Sequence, residues 1–334
     1  MRAPTAFLLH PSASLHDAGW GHPEHQGRLR FLSSTVGRDM LALHGRVVQA
    51  TAGEAGEEDL LRVHTRAHVE RVRESVAEAA RSGGVVELDP DTRASGASWD
   101  AALGSLGAAL TAAGGVAAGR FRNAFVAARP PGHHATPDRT MGFCLFNTVA
   151  ATARWLQAHG HADRVLIVDW DGHHGNGTQD IFWEDASVYL ISLHQSPWWP
   201  GTGAASERGG GVGVGTTLNV PLPAGTTAAA YHAAFTDALD QALADFTPDL
   251  VLISAGFDAL AGDPLVGGLM LEPPDFHRLT REVMTRADAV CGGRVVALLE
   301  GGYDPKRTGL AAVAVLRALA DIMEADPTAP VTGV

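Results

Sequence analysis

Two short stretches of this sequence pair carboxylates with imidazoles, and others nearby bear groups that move protons. In Asp169-Trp170-Asp171-Gly172-His173-His174, Asp171 and His173 stand two residues apart. In extended chain both side chains leave on the same side, so they can grip one ion. Asp258, in Ala255-Gly256-Phe257-Asp258, would complete a set of two carboxylates and one imidazole. Three protein ligands with an open position are the pattern of a catalytic rather than a structural zinc site, and an Asp/His/Asp set also suits ferrous iron. His133-His134 follows Arg129-Pro130-Pro131-Gly132. Neighbouring histidines chelate one ion poorly but can serve as proton-transfer groups. Asp169 offers a carboxylate to orient one imidazole and raise its basicity, and Asn176 an amide to orient the other more weakly. Tyr303, after Gly301-Gly302, offers a hydroxyl to a developing oxyanion. Taken singly, each has an ordinary explanation: helix caps for the acids, an exposed turn for the histidine pair, rim packing for the tyrosine. Taken together they describe amide hydrolysis assisted by one divalent ion.

These groups need a scaffold that brings distant segments together. Short apolar runs at residues 6–9, 123–128, 164–169, 187–193, 250–255 and 294–299 alternate with helical patterns near 58–81, 97–118, 146–159, 226–245, 274–290 and 307–324. Val165-Leu166-Ile167-Val168 and Leu250-Val251-Leu252-Ile253 are continuous rather than alternating, as in strands buried on both faces of a parallel sheet. The pattern predicts one α/β domain, residues 1–334, with helices on both sides of the sheet and a glycine-rich loop at 201–215. Each chemical motif directly follows an apolar run, as does His194. In open parallel sheets ligands bind beyond the carboxyl ends of the strands.

The 334 residues are 46% hydrophobic, which excludes the disordered class, and two cysteines exclude a disulfide scaffold. Lys and Arg number 25 against 37 Asp and Glu, a net charge of −12 that disfavours nucleic-acid binding. Cys144 and Cys291 lie in no CxxC spacing, and a reduced, cytoplasmic setting is expected. The apolar run at 6–9 is too short for a signal peptide. No stretch of about 18 uninterrupted apolar residues exists, so no spanning helix is expected. The alanine-rich run 101–118 is interrupted by glycines and reads as a tightly packed helix. No nucleophile elbow, phosphate-binding loop or HExxH helix is present.

The segments Arg129-Pro130-Pro131-Gly132-His133-His134-Ala135, Gly142-Phe143-Cys144-Leu145-Phe146-Asn147, Val168 to Thr178, Ser254 to Asp258 and Glu300 to Tyr303 together resemble the histone deacetylase family. His22-Pro23-Glu24-His25 with Arg28 is similar to the family's first loop, and Trp170 and Asn176 resemble its class II branch and bacterial relatives. The likeness runs from about residue 19 to 310. It implies the arginase–deacetylase fold, an eight-stranded parallel sheet between helices. It implies zinc on Asp171, His173 and Asp258, acid–base work by His133 and His134, and transition-state stabilisation by Tyr303. Phe143 and Trp199 resemble the aromatic walls of an acyl-lysine tunnel, with Gly142 lining it through its backbone. A potassium ion is implied near Asp169, Ser192 and Leu193 with the backbone of Asp171 and His173, and an outer monovalent site near Phe182, Asp185 and Val188.

Some positions depart from the family pattern. Gln26-Gly27 replaces the usual Pro-Glu, and Gly172 stands where a bulkier residue is common, predicting a looser turn. Asp91 aligns roughly with a rim residue that anchors substrate backbone, but a solvated loop aspartate is the expectation. Leu265 follows Asp263-Pro264 where polyamine-specific relatives carry an acidic gatekeeper. The expected substrate is therefore an acetylated amine such as an acetyl-lysine side chain or small acetyl amide, with acetylpolyamines the alternative. A dinuclear ureohydrolase would need carboxylates where Asn176 and Ala259 stand.

Overall fold

The computed structural model describes residues 3–19, 21–43 and 45–323. In chain order its strands are β1 Thr5–Leu8, β2 Val47–Ala50, β3 Val85–Glu87, β4 Arg93–Ser95, β5 Asn123–Val126, β6 Val165–Asp169, β7 Val188–Gln195, β8 Thr217–Leu222, β9 Leu250–Ala255 and β10 Val295–Leu299. The helices are α1 Gly27–Leu43, α2 Glu57–Leu60, α3 Arg66–Ser82, α4 Ser98–Ala117, α5 Thr148–Ala158, α6 Asn176–Phe182, α7 Ala228–Asp245, α8 Pro273–Cys291 and α9 Pro305–Leu319.

Eight strands form one parallel sheet in the order β2-β1-β5-β10-β9-β6-β7-β8, and β3 and β4 make a separate antiparallel hairpin. Alternate residues of the central strands feed two apolar layers. Leu166 and Val168 pack with Leu32 of α1, Phe235 of α7, Phe276 of α8 and Leu316 of α9. Val165 and Ile167 pack on the other face with Val72 of α3, Leu106 of α4 and Leu156 of α5. Both faces being covered explains the unbroken apolar runs. By length and composition α4 could cross a bilayer, yet most of it is buried in the second layer.

All six sequence-predicted strands are present, within a few residues. The structure adds both edge strands, β2 and β8, the β3–β4 hairpin, and helices α1 and α6, and it divides the helix expected at 58–81 into α2 and α3. Pro221 within β8 marks a segment against strand assignment, but an edge strand can spare the missing donor. α1 contains Gly37 and a Ser-Ser-Thr run, weak helix formers, and is held by packing on α9. The helix expected at 307–324 ends at Leu319, and residue 324 lies outside the described residues.

The strand order positions the site. β5, β10, β9 and β6 are successive neighbours at the centre, although residues 123 to 299 separate them in sequence. Asp169 pairs in register with Ser254 of β9 and Ser192 of β7, and Leu299 pairs with Ala255. The carboxyl ends of all four strands therefore finish at one level, and their loops meet.

Candidate active site

β6 ends at Asp169, and the turn beyond it carries Asp171 and His173, while the turn after β9 carries Asp258. The ligand-type atoms of Asp171, His173 and Asp258 lie within 4.8 Å of one another, and all three residues are buried. His173 Nδ1 lies 2.9 Å from Asp258 Oδ2 and 3.2 Å from Asp171 Oδ1. Backbone groups fix the carboxylates: Gly301 N–H donates to Asp171 Oδ2 at 2.9 Å, and Gly172 N–H to Asp258 Oδ1 at 2.6 Å. Gly172 is thus tightly held, contrary to the looser turn expected. A Cβ there would come within 2.8 Å of Val266 and 3.0 Å of Asp258, so the absent side chain makes room for the carboxylate.

Two carboxylates in one dry space repel, and their protonation is split accordingly. Burial and Asp171 push Asp258 up to about 7. Against burial, His133 and His173 hold Asp171 below the ordinary carboxylate range. His173, also against burial, is raised to about 10 by Asp258 and Asp171. A divalent cation would relieve that repulsion and match the donor set of two carboxylate oxygens and one imidazole nitrogen.

The loop after β5 brings the histidine pair alongside. His133 Nδ1 lies 2.8 Å from Asp169 Oδ2, and His134 Nδ1 lies 2.7 Å from Asn176 Oδ1. The sequence offered both partners without saying which imidazole each would meet. Their ring centroids are 3.9 Å apart. Burial opposes charge on His133, but Asp169 and Asp171 outweigh it and hold that imidazole well above the usual histidine range. Burial, then His133 and His173, push His134 well below it.

Tyr303 follows β10. Burial keeps its phenol well above the ordinary tyrosine range, so the oxygen retains its proton as a donor. The Arg28 guanidinium lies 4.9 Å from the centre of the Tyr303 ring, and its Nε donates to Gly302 carbonyl oxygen at 2.7 Å.

A cavity of about 230 Å³ is lined by His134, His173 and Tyr303 among these groups. Gly142, Phe143, Trp199 and Leu265 line it, together with Asp91 and Trp198. Trp199 stands edge-on to His134 with ring centroids 4.7 Å apart, and Phe143 edge-on to Tyr303 at 5.7 Å. Phe143 has φ 67°, a left-handed conformation a bulky residue holds only where its surroundings impose it. A larger depression of about 580 Å³ lies elsewhere, beside Arg122 and Cys291, but the only metal-ligand cluster among the described residues is Asp171, His173 and Asp258.

Residues 22–319 match the histone deacetylase domain. The chain belongs to the histone deacetylase family. It is 36% identical over 299 residues to a probable deacetylase of Archaeoglobus fulgidus, covering 90% of this chain and 81% of that one. It is 37% identical over 309 residues to a histone deacetylase-like amidohydrolase of Pseudomonas aeruginosa, covering 92% and 79%. The crystal structure of the HDA15 HD domain superposes with a TM-score of 0.88 at 36% identity, covering 96% of this chain and 89% of that one. The fold is the arginase–deacetylase fold.

Within this histone deacetylase domain two further expectations need correction. Asp91 is not a solvated loop residue. It is half-buried and lines the cavity, and its Oδ1 accepts from Gly142 N–H at 3.0 Å and Thr92 Oγ1 at 3.0 Å. Burial and Asp89 push its carboxyl up to about 6. His194 lies inside β7 and turns away, toward Ser192 Oγ and Gly203 carbonyl oxygen.

Several supporting residues were assigned no role from the sequence. Glu300 Oε2 accepts from Gly132 N–H at 2.6 Å and His133 N–H at 3.2 Å, fixing the backbone that aims the histidines. His64, in the turn before α3, and His68, in its first turn, bond Thr136 and Leu145 carbonyl oxygens and hold the loop between the histidine pair and Asn147.

Proposed function

We propose that this family hydrolase removes acetyl or related acyl groups from acylated amines, with acyl-lysine side chains the class the site fits best. The observation that carries this reading is that His134, His173 and Tyr303 line one cavity with Phe143, Trp199 and Leu265, with Asp171 and Asp258 directly beside His173. A methylene stem gains from apolar walls, and an acylated amine, being neutral, enters without the cost of burying a charge.

Asp171, His173 and Asp258 would hold one divalent ion, zinc by its preference for such sets, with ferrous iron the alternative. Bound there, the ion supplies Lewis acidity toward the amide carbonyl and the attacking water. The chain's own residues do the rest. His133, backed by the Asp169 carboxylate, holds a proton firmly, and His134, backed by an amide oxygen, holds one weakly. As a coupled pair they take the proton from water and return one to the leaving amine. Tyr303 donates its hydroxyl proton toward the oxyanion as it forms. Asp169, Ser192 and Leu193, with the backbone of Asp171 and His173, are the residues we assign to a structural potassium ion. The pairing of Asp169 with Ser192 supports that assignment. The two buried free thiols, Cys144 and Cys291, suit a reducing cytoplasm.

An acetylpolyamine would need a free acid at the slot's mouth to meet its second ammonium. Asp91 already serves Gly142 and Thr92, and Leu265 is apolar. A ureohydrolase would need a second ion, and Asn176 is engaged with His134 instead. The test is to strip the protein with chelator, reload it with zinc or ferrous ion, and assay acylated lysine peptides beside acetylpolyamines. Restored turnover on acyl-lysine, at least about tenfold faster than on any polyamine, is the expected result. Two metals per chain with guanidine hydrolysis would overturn it.

A further inference from the structure

Resting on that reading, we propose that Asp263 is a positioning residue whose carboxylate ties Tyr303 to Leu265 and so sets the gap between the hydroxyl donor and the apolar wall. Asp263 is 4% exposed. Its Oδ2 accepts from Tyr303 N–H at 2.8 Å, and its Oδ1 accepts from Leu265 N–H at 2.9 Å. The two partners lie on different segments, one after β10 and one in the loop after β9, and both line the slot. Asp263 itself does not line it.

The turn that delivers Tyr303 cannot hold itself. Two glycines precede the tyrosine, and Gly302 sits at φ 118°, a conformation with little intrinsic preference. Arg28 grips Gly302 and Glu300 carbonyl oxygens and stacks on the ring, but it has no bond to Leu265. On the other side, Trp198 Nε1 donates to Leu265 carbonyl oxygen at 3.1 Å, which fixes the wall but not the tyrosine. The Asp263 carboxylate is the element shared by both. Only an ionised carboxylate gives two acceptor oxygens to two N–H groups. An asparagine there would turn an NH2 group against one of them.

The test compares Asp263→Asn with the wild type, both metal-loaded, on acetyl-lysine and butyryl-lysine peptides. Loosening the gap is expected to lower kcat on the acetyl substrate and to shift the acetyl-to-butyryl ratio of kcat/KM by about tenfold, the discrimination a small hydrocarbon increment carries in a fitted pocket. A purely structural role would reduce the folded fraction and lower both substrates equally. An unchanged ratio therefore overturns the proposal. A second measurement does not depend on the variant folding or on the reaction: residue-resolved amide hydrogen exchange in the wild type. Tyr303 and Leu265 amides are expected to open as one unit, with matching protection. Protection differing by more than about tenfold would overturn the clamp. If the wild type turns over no acyl-lysine substrate, the reaction assignment fails while the exchange result still decides the clamp.

Discussion

Two buried carboxylate clusters lie beneath the same loops and are neutralised in different ways. Around Glu24, Arg129 Nε donates to Oε1 at 2.7 Å and Arg28 Nη1 to the same oxygen at 2.8 Å. The guanidiniums then spread to the backbone carbonyls of Ala13, His16, Glu300 and Gly302. Around Asp171 and Asp258 the partners are an imidazole and backbone N–H groups, and among the described residues no arginine or lysine bonds to either. Both clusters are fully buried, so solvent does not make the difference. A buried charge without a partner is strongly destabilising. The first cluster receives its cations from the chain at Glu24 Oε1, while Oε2 has only His16 Nε2 beside it at 3.4 Å, and it knits distant loops into a scaffold. The second has only the His173 imidazole between its two carboxylates and could take a divalent cation from outside.

The largest effect should come from breaking the second cluster. Asp258→Ala is expected to reduce turnover to background and to abolish the stabilisation that zinc gives, about 4 kcal/mol at a thousandfold excess over Kd. Thermal unfolding with and without zinc, plus a metal count per chain, checks this. A variant that retained wild-type metal stoichiometry would erase the distinction between the clusters. Breaking the first cluster should act on folding instead. Arg129→Met is expected to cost about 3–5 kcal/mol in urea unfolding, because Glu24 stays buried with part of its compensation gone, and a loss below about 1 kcal/mol, the worth of an exposed pair, would contradict it. Tyr303→Phe belongs to neither cluster. It should remove about 2.7–4 kcal/mol of transition-state stabilisation, read as kcat, with zinc affinity unchanged.

The smallest effect is in pH dependence, where the clusters differ in sign. Against burial, Arg129, His16 and Arg28 hold the Glu24 carboxyl well below its ordinary value of 4.5. Its contribution is present above that pH and is lost as pH falls through it and below. In the metal-free chain Asp258 is the reverse. Burial and Asp171 raise it from 3.8 to about 7, so the native state keeps a proton that the unfolded chain has released. Metal-free stability should therefore decline from this group as pH rises from about 4 to about 7. Chelation is expected to lower Tm little at pH 5 and progressively more toward pH 8, since metal binding also releases protons. A gap in Tm that stayed flat across that range would count against the uncompensated pair.

Much of the site was legible because its residues sit where a strand stops. Asp171-x-His173, His133-His134, Asp258 and Tyr303 each follow an apolar run, and a run buried on both faces is the plainest signal a parallel sheet gives. The edge strands were not legible, since β2 is interrupted by Gln49 and mostly uncovered, and β8 contains proline. Asp91 was misread as solvated because nothing local shows that Gly142, 51 residues on, donates to it. Asp263 and Glu300 bond to the backbone N–H groups of distant loops, and a backbone donor has no identity in a sequence.

The sequence by itself determined which groups are present and on which strand ends they ride, because side-chain chemistry and hydrophobic period are local properties. It therefore determined the ligand types and the two-residue spacing of Asp171 and His173. Tertiary structure alone decided that β5, β10, β9 and β6 stand side by side, that His133 takes Asp169 while His134 takes Asn176, and that arginines neutralise Glu24 but not Asp258. Those outcomes depend on distances between segments as far apart in the chain as Asn123 and Val295, and burial multiplies the strength of each contact once it forms.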